Sequence, residues 1–169
     1  VSWTSGGGFS NYTEKTPYWQ ENEVKYYLNN SPSLPDKKKF NSNGRAYPDI
    51  SLVGHSCPTF NNGLLEAVDG TSCSTPLMAG VVAVINHYLV SKGRNTVGYF
   101  NPLLYHIAEN CKDCFHDISH GNNWCTEAIC CENSTEFGYQ GIEGFDPVTG
   151  LGTPNIGNIL NYLDTLFKM

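Results

Sequence analysis

Apolar and polar positions change period along the chain, and each change marks an element. Trp19, Val24, Tyr27 and Leu28 lie at helical spacing, with the cap-then-proline order Thr16-Pro17 ahead of them and Asn29-Asn30 behind, which predicts a helix. Ser31 to Asn43 has no period and carries Pro and Lys, as a loop does. Gly44 to Val53 reads as a turn followed by a strand, and Pro48 keeps that strand at a start or an edge. His55 to Asn62 reads as a loop, Gly63 to Val68 as a short β run, and Leu77 to Val90 as a long apolar helix. In that helix Ala79, Val82, Ile85, Tyr88 and Leu89 leave almost no polar face, the pattern of a helix buried on most sides. Lys92-Gly93 closes it with a cation and a terminal glycine. Asn101-Pro102 opens a short helix through Leu103, Leu104 and Ile107. Pro154-Asn155 opens the last one, whose single apolar face is Ile156, Ile159, Leu160, Leu163 and Phe167. No internal repeat and no linker divides the 169 residues.

The stretch Asp69-Gly70-Thr71-Ser72-Cys73-Ser74-Thr75-Pro76 joins the β run to the long helix. A hydroxyl in such a turn projects into a cleft at a helix N-terminus, where backbone N–H groups and the positive dipole end favour developing negative charge. Pro76 suits the first turn, since its missing N–H would have no partner there. Ser72 is therefore a candidate nucleophile, while the same residues also fit an ordinary Ser/Thr-rich helix cap. Ser5-Gly6-Gly7-Gly8-Phe9, after a short strand, lets another backbone approach closely, as a substrate-binding edge or as a simple turn. Asp49 reads as a loop organiser that accepts backbone N–H bonds rather than as a catalytic group.

Composition narrows the partners. The net charge of −6 argues against nucleic acid and anionic membranes, and the longest basic run, Lys37-Lys38-Lys39, fits a solvated loop. No uninterrupted apolar run has the length of a membrane span. Seven cysteines, five of them between Cys111 and Cys131, join three glycosylation sequons at Asn11, Asn29 and Asn133, the second weakened by Pro32. Together they point to the secretory or lysosomal route. The odd count leaves one thiol free or bound to another chain, and Cys73 reads as a buried thiol. His116 and His120, or Cys111 and Cys114 with Cys125 and Cys130, have zinc-like spacings, but loop and disulfide readings fit them better.

Four motifs occur in one order: Ser5-Gly6-Gly7-Gly8-Phe9-Ser10, Gly44-Arg45-Ala46-Tyr47-Pro48-Asp49, Gly70-Thr71-Ser72-x-Ser74-Thr75-Pro76 and Gly144-Phe145-Asp146-Pro147-Val148-Thr149-Gly150-Leu151-Gly152. The combination resembles the sedolisin family, the serine-carboxyl peptidases, in its tripeptidyl peptidase I and physarolisin branch. The resemblance runs along nearly the whole chain and implies the C-terminal portion, residues 1–169, of one catalytic domain. That domain has a subtilisin-like α/β fold with a mostly parallel sheet. The resemblance implies that Ser72 attacks the peptide carbonyl and that Ser5, Gly6, Gly7 and Gly8 bind the substrate backbone by strand addition. Asp69 stands where the family usually has serine. In the family a Glu activates the serine, an Asp supports that Glu, and a second Asp stabilises the oxyanion while protonated, so the site works at acidic pH.

The Glu and its supporting Asp come from an upstream helix at i, i+4 spacing. Here Asp113/Asp117 and Glu132/Glu136 have the spacing but lie in the Cys-rich region without apolar periodicity. The chain is also about half the length of such a domain. The expected state is one chain of a two-chain enzyme cut from a precursor, its base on the missing upstream chain; Val1 without a leader fits that cut. An acid-acting endopeptidase is the leading expectation, a tripeptidyl aminopeptidase the alternative, and a non-enzymatic calcium-stabilised module the reading from another class.

The resemblance also implies one structural calcium ion. Asp117 and Asp146 would bind it by side chain, and Ile118, Ile142 and Gly144 by backbone carbonyl. Without the resemblance, the same residues would read as two Asx-type turns.

Overall fold

Four helices carry the core of the computed structural model, which describes residues 4–124 and 138–167. Cys125, Cys130, Cys131, the Glu132/Glu136 pair and the Asn133 sequon lie outside the described residues. The first helical pattern begins as a 3₁₀ turn, Tyr18–Gln20, and becomes α1 at Glu21–Asn30. The long helix α2 runs Thr71–Ser91, followed by α3 at Asn101–Asn110 and α4 at Ile156–Leu166. Val24 and Tyr27 of α1, Val81, Ile85 and Leu89 of α2, Leu104, Tyr105 and Ile107 of α3, and Ile159 and Leu163 of α4 meet in one cluster with Phe9, Phe100 and Phe145. Each fully buried aliphatic side chain there contributes roughly 1.5–3 kcal/mol of transfer free energy.

Among the described residues six short strands form three antiparallel pairs. β1 (Gly8–Phe9) pairs β2 (Ala46–Tyr47), β3 (Cys57–Asn61) pairs β4 (Leu64–Val68), and β5 (Phe115–His116) pairs β6 (Thr153–Pro154). The strand expected through Ile50 to Val53 does not form. That stretch is tied by single bonds, Ser51 N–H to Gly152 O at 3.0 Å and, just beyond it, Gly70 N–H to Gly54 O at 2.7 Å. Leu151 N–H also donates to Asp49 O at 2.8 Å, but among the described residues no ladder forms along the stretch.

The loop expected over His55 to Asn62 is instead half of a hairpin. Asn62 and Gly63 both have positive φ, 49° and 81°, the backbone of a two-residue primed turn for which Asn-Gly is a strong signal. The hairpin stands away from the core: only Cys57 is buried, and Phe60, Leu64 and Leu65 are all exposed.

Two expectations for α2 change. The helix begins at Thr71, ahead of Pro76, so the proline lies inside it and leaves the Ser72 carbonyl without an i+4 donor. One turn before, the Thr75 hydroxyl donates to Thr71 O at 2.9 Å. The helix is not buried on most sides either: Val81, Ile85 and Leu89 form one buried stripe, while Leu77, Val84 and Val90 are exposed. Although no uninterrupted apolar run is long enough, the whole helix, averaged over its polar interruptions, is long and apolar enough to cross a membrane. At the C-terminus, Asn155 caps α4 by accepting from Asn158 N–H, and Pro154 belongs to β6. Phe167 lies beyond the helix, half exposed, with the Arg94 guanidinium 5.0 Å over its ring.

Candidate functional site

The turn carrying Ser72 is laced to the segment before β3. Gly70 N–H donates to Gly54 O, and the Ser74 hydroxyl reaches Leu52 O (3.2 Å) and Val53 O (3.0 Å). Ser56 N–H donates to Asp69 Oδ1 at 2.7 Å. A disulfide joins Cys57 to Cys73. Cys73 is thus a bridged half-cystine and not a free thiol. Cys57 opens β3 directly opposite Val68, so the hairpin brings the two cysteines together. The Asn62-Gly63 signal would have placed Cys57 beside this turn.

Ser72 is the second residue of α2, exposed, and its hydroxyl has no partner among the described residues. It opens into a cleft of about 410 Å³ shared with Asp69, Gly70, Cys73, Thr59, Val68 and Leu77. Cys73 N–H donates back to Gly70 O at 3.0 Å, while Thr71 and Ser72 precede it at the start of α2, where the helix supplies no acceptor for N–H groups. His55 Nδ1 lies 2.9 Å from Asp69 Oδ1. The Ser56 N–H bond first, and His55 second, hold the Asp69 carboxyl below the usual range.

Ser5, Gly6, Gly7 and Gly8 do not line that cleft. Only Gly8 is in a strand, β1, which pairs with β2. A Cβ on Gly7 would sit 1.9 Å from Pro147 O, and Ser5 Oγ donates to Val148 O at 3.4 Å. Gly7 is therefore a close-packing glycine against the 147–148 backbone. Gly6 has nothing within 4 Å of its would-be Cβ and is exposed.

Asp49 organises side chains instead of backbone N–H groups. It accepts from Arg45 at 2.5 Å, Asn101 at 2.8 Å and the Tyr105 hydroxyl at 2.9 Å. Burial, then the Asp49 charge, push the Tyr105 hydroxyl far above its ordinary pKa. Tyr105 in turn accepts from the fully buried Gln20, whose amide also makes both backbone bonds to Ala46. That amide stands in for a third strand beside β2, and no apolar pattern announces it.

The five residues expected at a cation lie on two loops that meet. Asp146 is fully buried: Oδ1 accepts from Val148 N–H (2.9 Å), Thr149 N–H (2.8 Å) and the Thr149 hydroxyl (3.2 Å), and Oδ2 from Ile142 N–H (3.2 Å). Burial raises its carboxyl, and the Thr149, Val148 and Ile142 N–H groups draw it back. Asp117 Oδ2 accepts from Gly144 N–H at 2.8 Å, and the Thr149 hydroxyl reaches Ile118 O at 3.4 Å. One hydroxyl thus faces both the Ile118 carbonyl and the Asp146 carboxylate.

No three His, Cys, Asp or Glu side chains converge among the described residues. A site here would have two carboxylates and carbonyl oxygens, a donor set that fits a hard oxygen-seeking cation. Cys111 and Cys114 are joined in a disulfide, and His120 Nδ1 is 3.0 Å from Ser119 Oγ, so neither zinc-like spacing presents a ligand cluster.

Comparison with known proteins gives a consistent picture. The chain is 39% identical to physarolisin of Physarum polycephalum over 163 residues, 96% of its length. It is 39% identical to tripeptidyl-peptidase 1 of Dictyostelium discoideum over 161 residues and 38% identical to that of Homo sapiens over 166. Over almost its whole length it is similar to members of the sedolisin family. The chain corresponds to a C-terminal part and spans only 28%, 25% and 28% of these three relatives. A solved Pseudomonas sedolisin, a serine-carboxyl proteinase complexed with two molecules of pseudo-iodotyrostatin, superposes with a TM-score of 0.70 over 98% of this chain and 41% of that one, at 23% identity. That similarity shows the subtilisin-like α/β fold, of which the helices and short strand pairs described here are a part. No family model matches the chain.

Proposed function

We propose that this chain supplies the nucleophile of an acid-acting serine-carboxyl endopeptidase, with Ser72 forming the acyl-enzyme. The observation that carries the reading is the exposed, unpartnered Ser72 hydroxyl at the head of α2, in a cleft and inside the family's Gly-Thr-Ser motif. On this reading the Ser72 oxygen adds to the peptide carbonyl as its proton passes to a Glu on an upstream segment. An upstream Asp supports that Glu, and a second, protonated Asp donates to the oxyanion, which confines turnover to acidic pH. The chain spans about a quarter of its curated relatives, which leaves room for that segment. Residues Ser5 to Gly8 present a backbone edge to the peptide, with Gly6 unobstructed.

Calcium belongs to the same proposal. Asp117 and Asp146 side chains with the carbonyls of Ile118, Ile142 and Gly144 would hold one structural ion, fastening the loop after β5 to the 142–149 loop. The buried Asp146 carboxylate supports this, since no Lys or Arg among the described residues pairs with it. The two disulfides among the described residues support a secretory route, lysosomal or secreted. Neither a membrane nor nucleic acid enters the reading: the buried stripe of α2 packs into the protein core and the net charge is −6.

A second reading, tripeptidyl release from peptide N-termini, is favoured by the two relatives named tripeptidyl-peptidase 1. The test is Ser72→Ala in the full-length protein. It should abolish peptide cleavage at acidic pH, and unchanged turnover would remove Ser72 from the chemistry; a wild-type protein that cleaves no peptide would favour the non-enzymatic module. Blocking the peptide N-terminus separates the two peptidase readings, because only an endopeptidase still cuts.

A further inference from the structure

We propose that Asp69 makes the cleft beside Ser72 selective for a basic side chain, Lys or Arg, adjacent to the scissile bond. The inference rests on Ser72 being the nucleophile. The cleft of about 410 Å³ is lined by Ser72 and Asp69 together, with Val68, Leu77, Thr59 and the Cys73 half-cystine as its other walls. Aliphatic walls accept the methylene stem of a long cationic side chain, and a carboxylate meets its charged end.

Asp69 is arranged for that. Both of its protein bonds, from Ser56 N–H and from His55 Nδ1, fall on Oδ1. Oδ2 has no partner among the described residues, so one oxygen stays free to accept. The Ser56 N–H, which donates to Oδ1 at 2.7 Å, favours the ionised form of the carboxyl. Among the described residues no Lys or Arg lines the cleft. Among the described residues the competitor in contact with the carboxylate is His55, on the loop before β3, and Glu66 on β4 is occupied with Asn61.

The position is also distinctive in chemistry. A serine before the Gly-Thr-Ser motif offers a neutral hydroxyl, whereas Asp69 puts a full negative charge three residues from the nucleophile. Charged recognition at a partly solvated site is modest and salt-sensitive, and the experiment is built around that.

The test uses the full-length precursor, made in a secretory host and activated. Quenched peptides differ only in carrying Lys, Arg, Met or Glu at one of the two positions flanking the cleaved bond. At one position kcat/KM for Lys and Arg should exceed Met by about fivefold, the range of partly exposed ion pairs. That ratio should shrink at high ionic strength, and Glu should be cleaved more slowly than Met. Asp69→Asn and Asp69→Ser should each bring the Lys/Met ratio to one, whatever their absolute rates, and His55→Gln should raise it.

An enzyme that cleaves Lys and Met peptides equally at both positions overturns the inference while leaving the peptidase reading intact, as does a ratio that survives Asp69→Ser. A preparation in which no peptide is cleaved overturns the peptidase reading itself. If Asp69→Asn does not fold, the salt dependence of the wild-type ratio still decides, since a ratio indifferent to ionic strength does not come from an exposed carboxylate.

Discussion

Removing the Asp146 carboxylate tests the geometry of the C-terminal loops most directly. Asp146→Ala takes the acceptor from three backbone N–H groups at once, those of Ile142, Val148 and Thr149, and from the Thr149 hydroxyl. Each buried donor left unsatisfied costs about 1–3 kcal/mol. Val148 is fully within the core, so its N–H has no access to water, whereas Ile142 and Thr149 are partly solvated. The Thr149 hydroxyl keeps Ile118 O as an alternative acceptor. Weighting the three N–H groups accordingly gives a loss of about 3–5 kcal/mol before any ion is counted.

Asp146→Asn retains one carbonyl oxygen for the Val148 and Thr149 bonds but turns an NH2 toward the Ile142 N–H, a donor facing a donor. It should therefore cost about half as much. The assay is thermal unfolding of the full-length protein with calcium and with chelator. Wild type should lose stability on chelation, and Asp146→Ala should start lower and no longer respond. An Asp146→Ala protein melting within a degree of wild type would refute the account of the loop. A wild-type midpoint indifferent to chelator would refute the ion while leaving the hydrogen-bond argument standing.

Two further outcomes follow from the same structure. Gly7→Ala forces a Cβ to within 1.9 Å of Pro147 O and should destabilise by about 1–3 kcal/mol, while Gly6→Ala, with open space around it, should stay within about 0.5 kcal/mol; equal melting of the two variants would contradict the packing of β1 on the 147–148 backbone. Asp69 should titrate below the usual value of about 3.9 in a carboxyl NMR titration, so that its contribution to stability is complete above that pH and disappears as pH falls through the lower folded-state value. A midpoint at or above the free value would mean that Ser56 and His55 do not hold it in solution.

Where local chemistry decides the structure, the apolar pattern already contained it. The faces of α3 and α4, the Lys92-Gly93 terminus and the helix through Val24 and Tyr27 depend on neighbours a few residues away. The Ser72 turn was legible for the same reason, because a β run, a Gly-Thr-Ser and a helix are contiguous. Long-range partners were not. Ile50 to Val53 has a strand composition but no ladder among the described residues, and α2, apolar nearly all round, is buried there along one stripe only. Asn62-Gly63 is a hairpin signal legible in the sequence, and it contradicts the loop reading of His55 to Asn62. Gln20 could not have been found, since a buried amide that completes the pairing of β2 looks like any polar residue in sequence.

The unburied flank of α2 has a consequence for production. Leu77, Val84 and Val90 are 46%, 51% and 56% exposed, and the neighbouring hairpin adds Phe60, Leu64 and Leu65. Synthesised by itself, a polypeptide with so much greasy surface collects in inclusion bodies. Expression within a longer polypeptide, of the length its relatives have, should raise the soluble yield, which a comparison of soluble fractions checks. If the mature enzyme is indeed held as two polypeptides, the cut that separates them has to come after they have folded around one another.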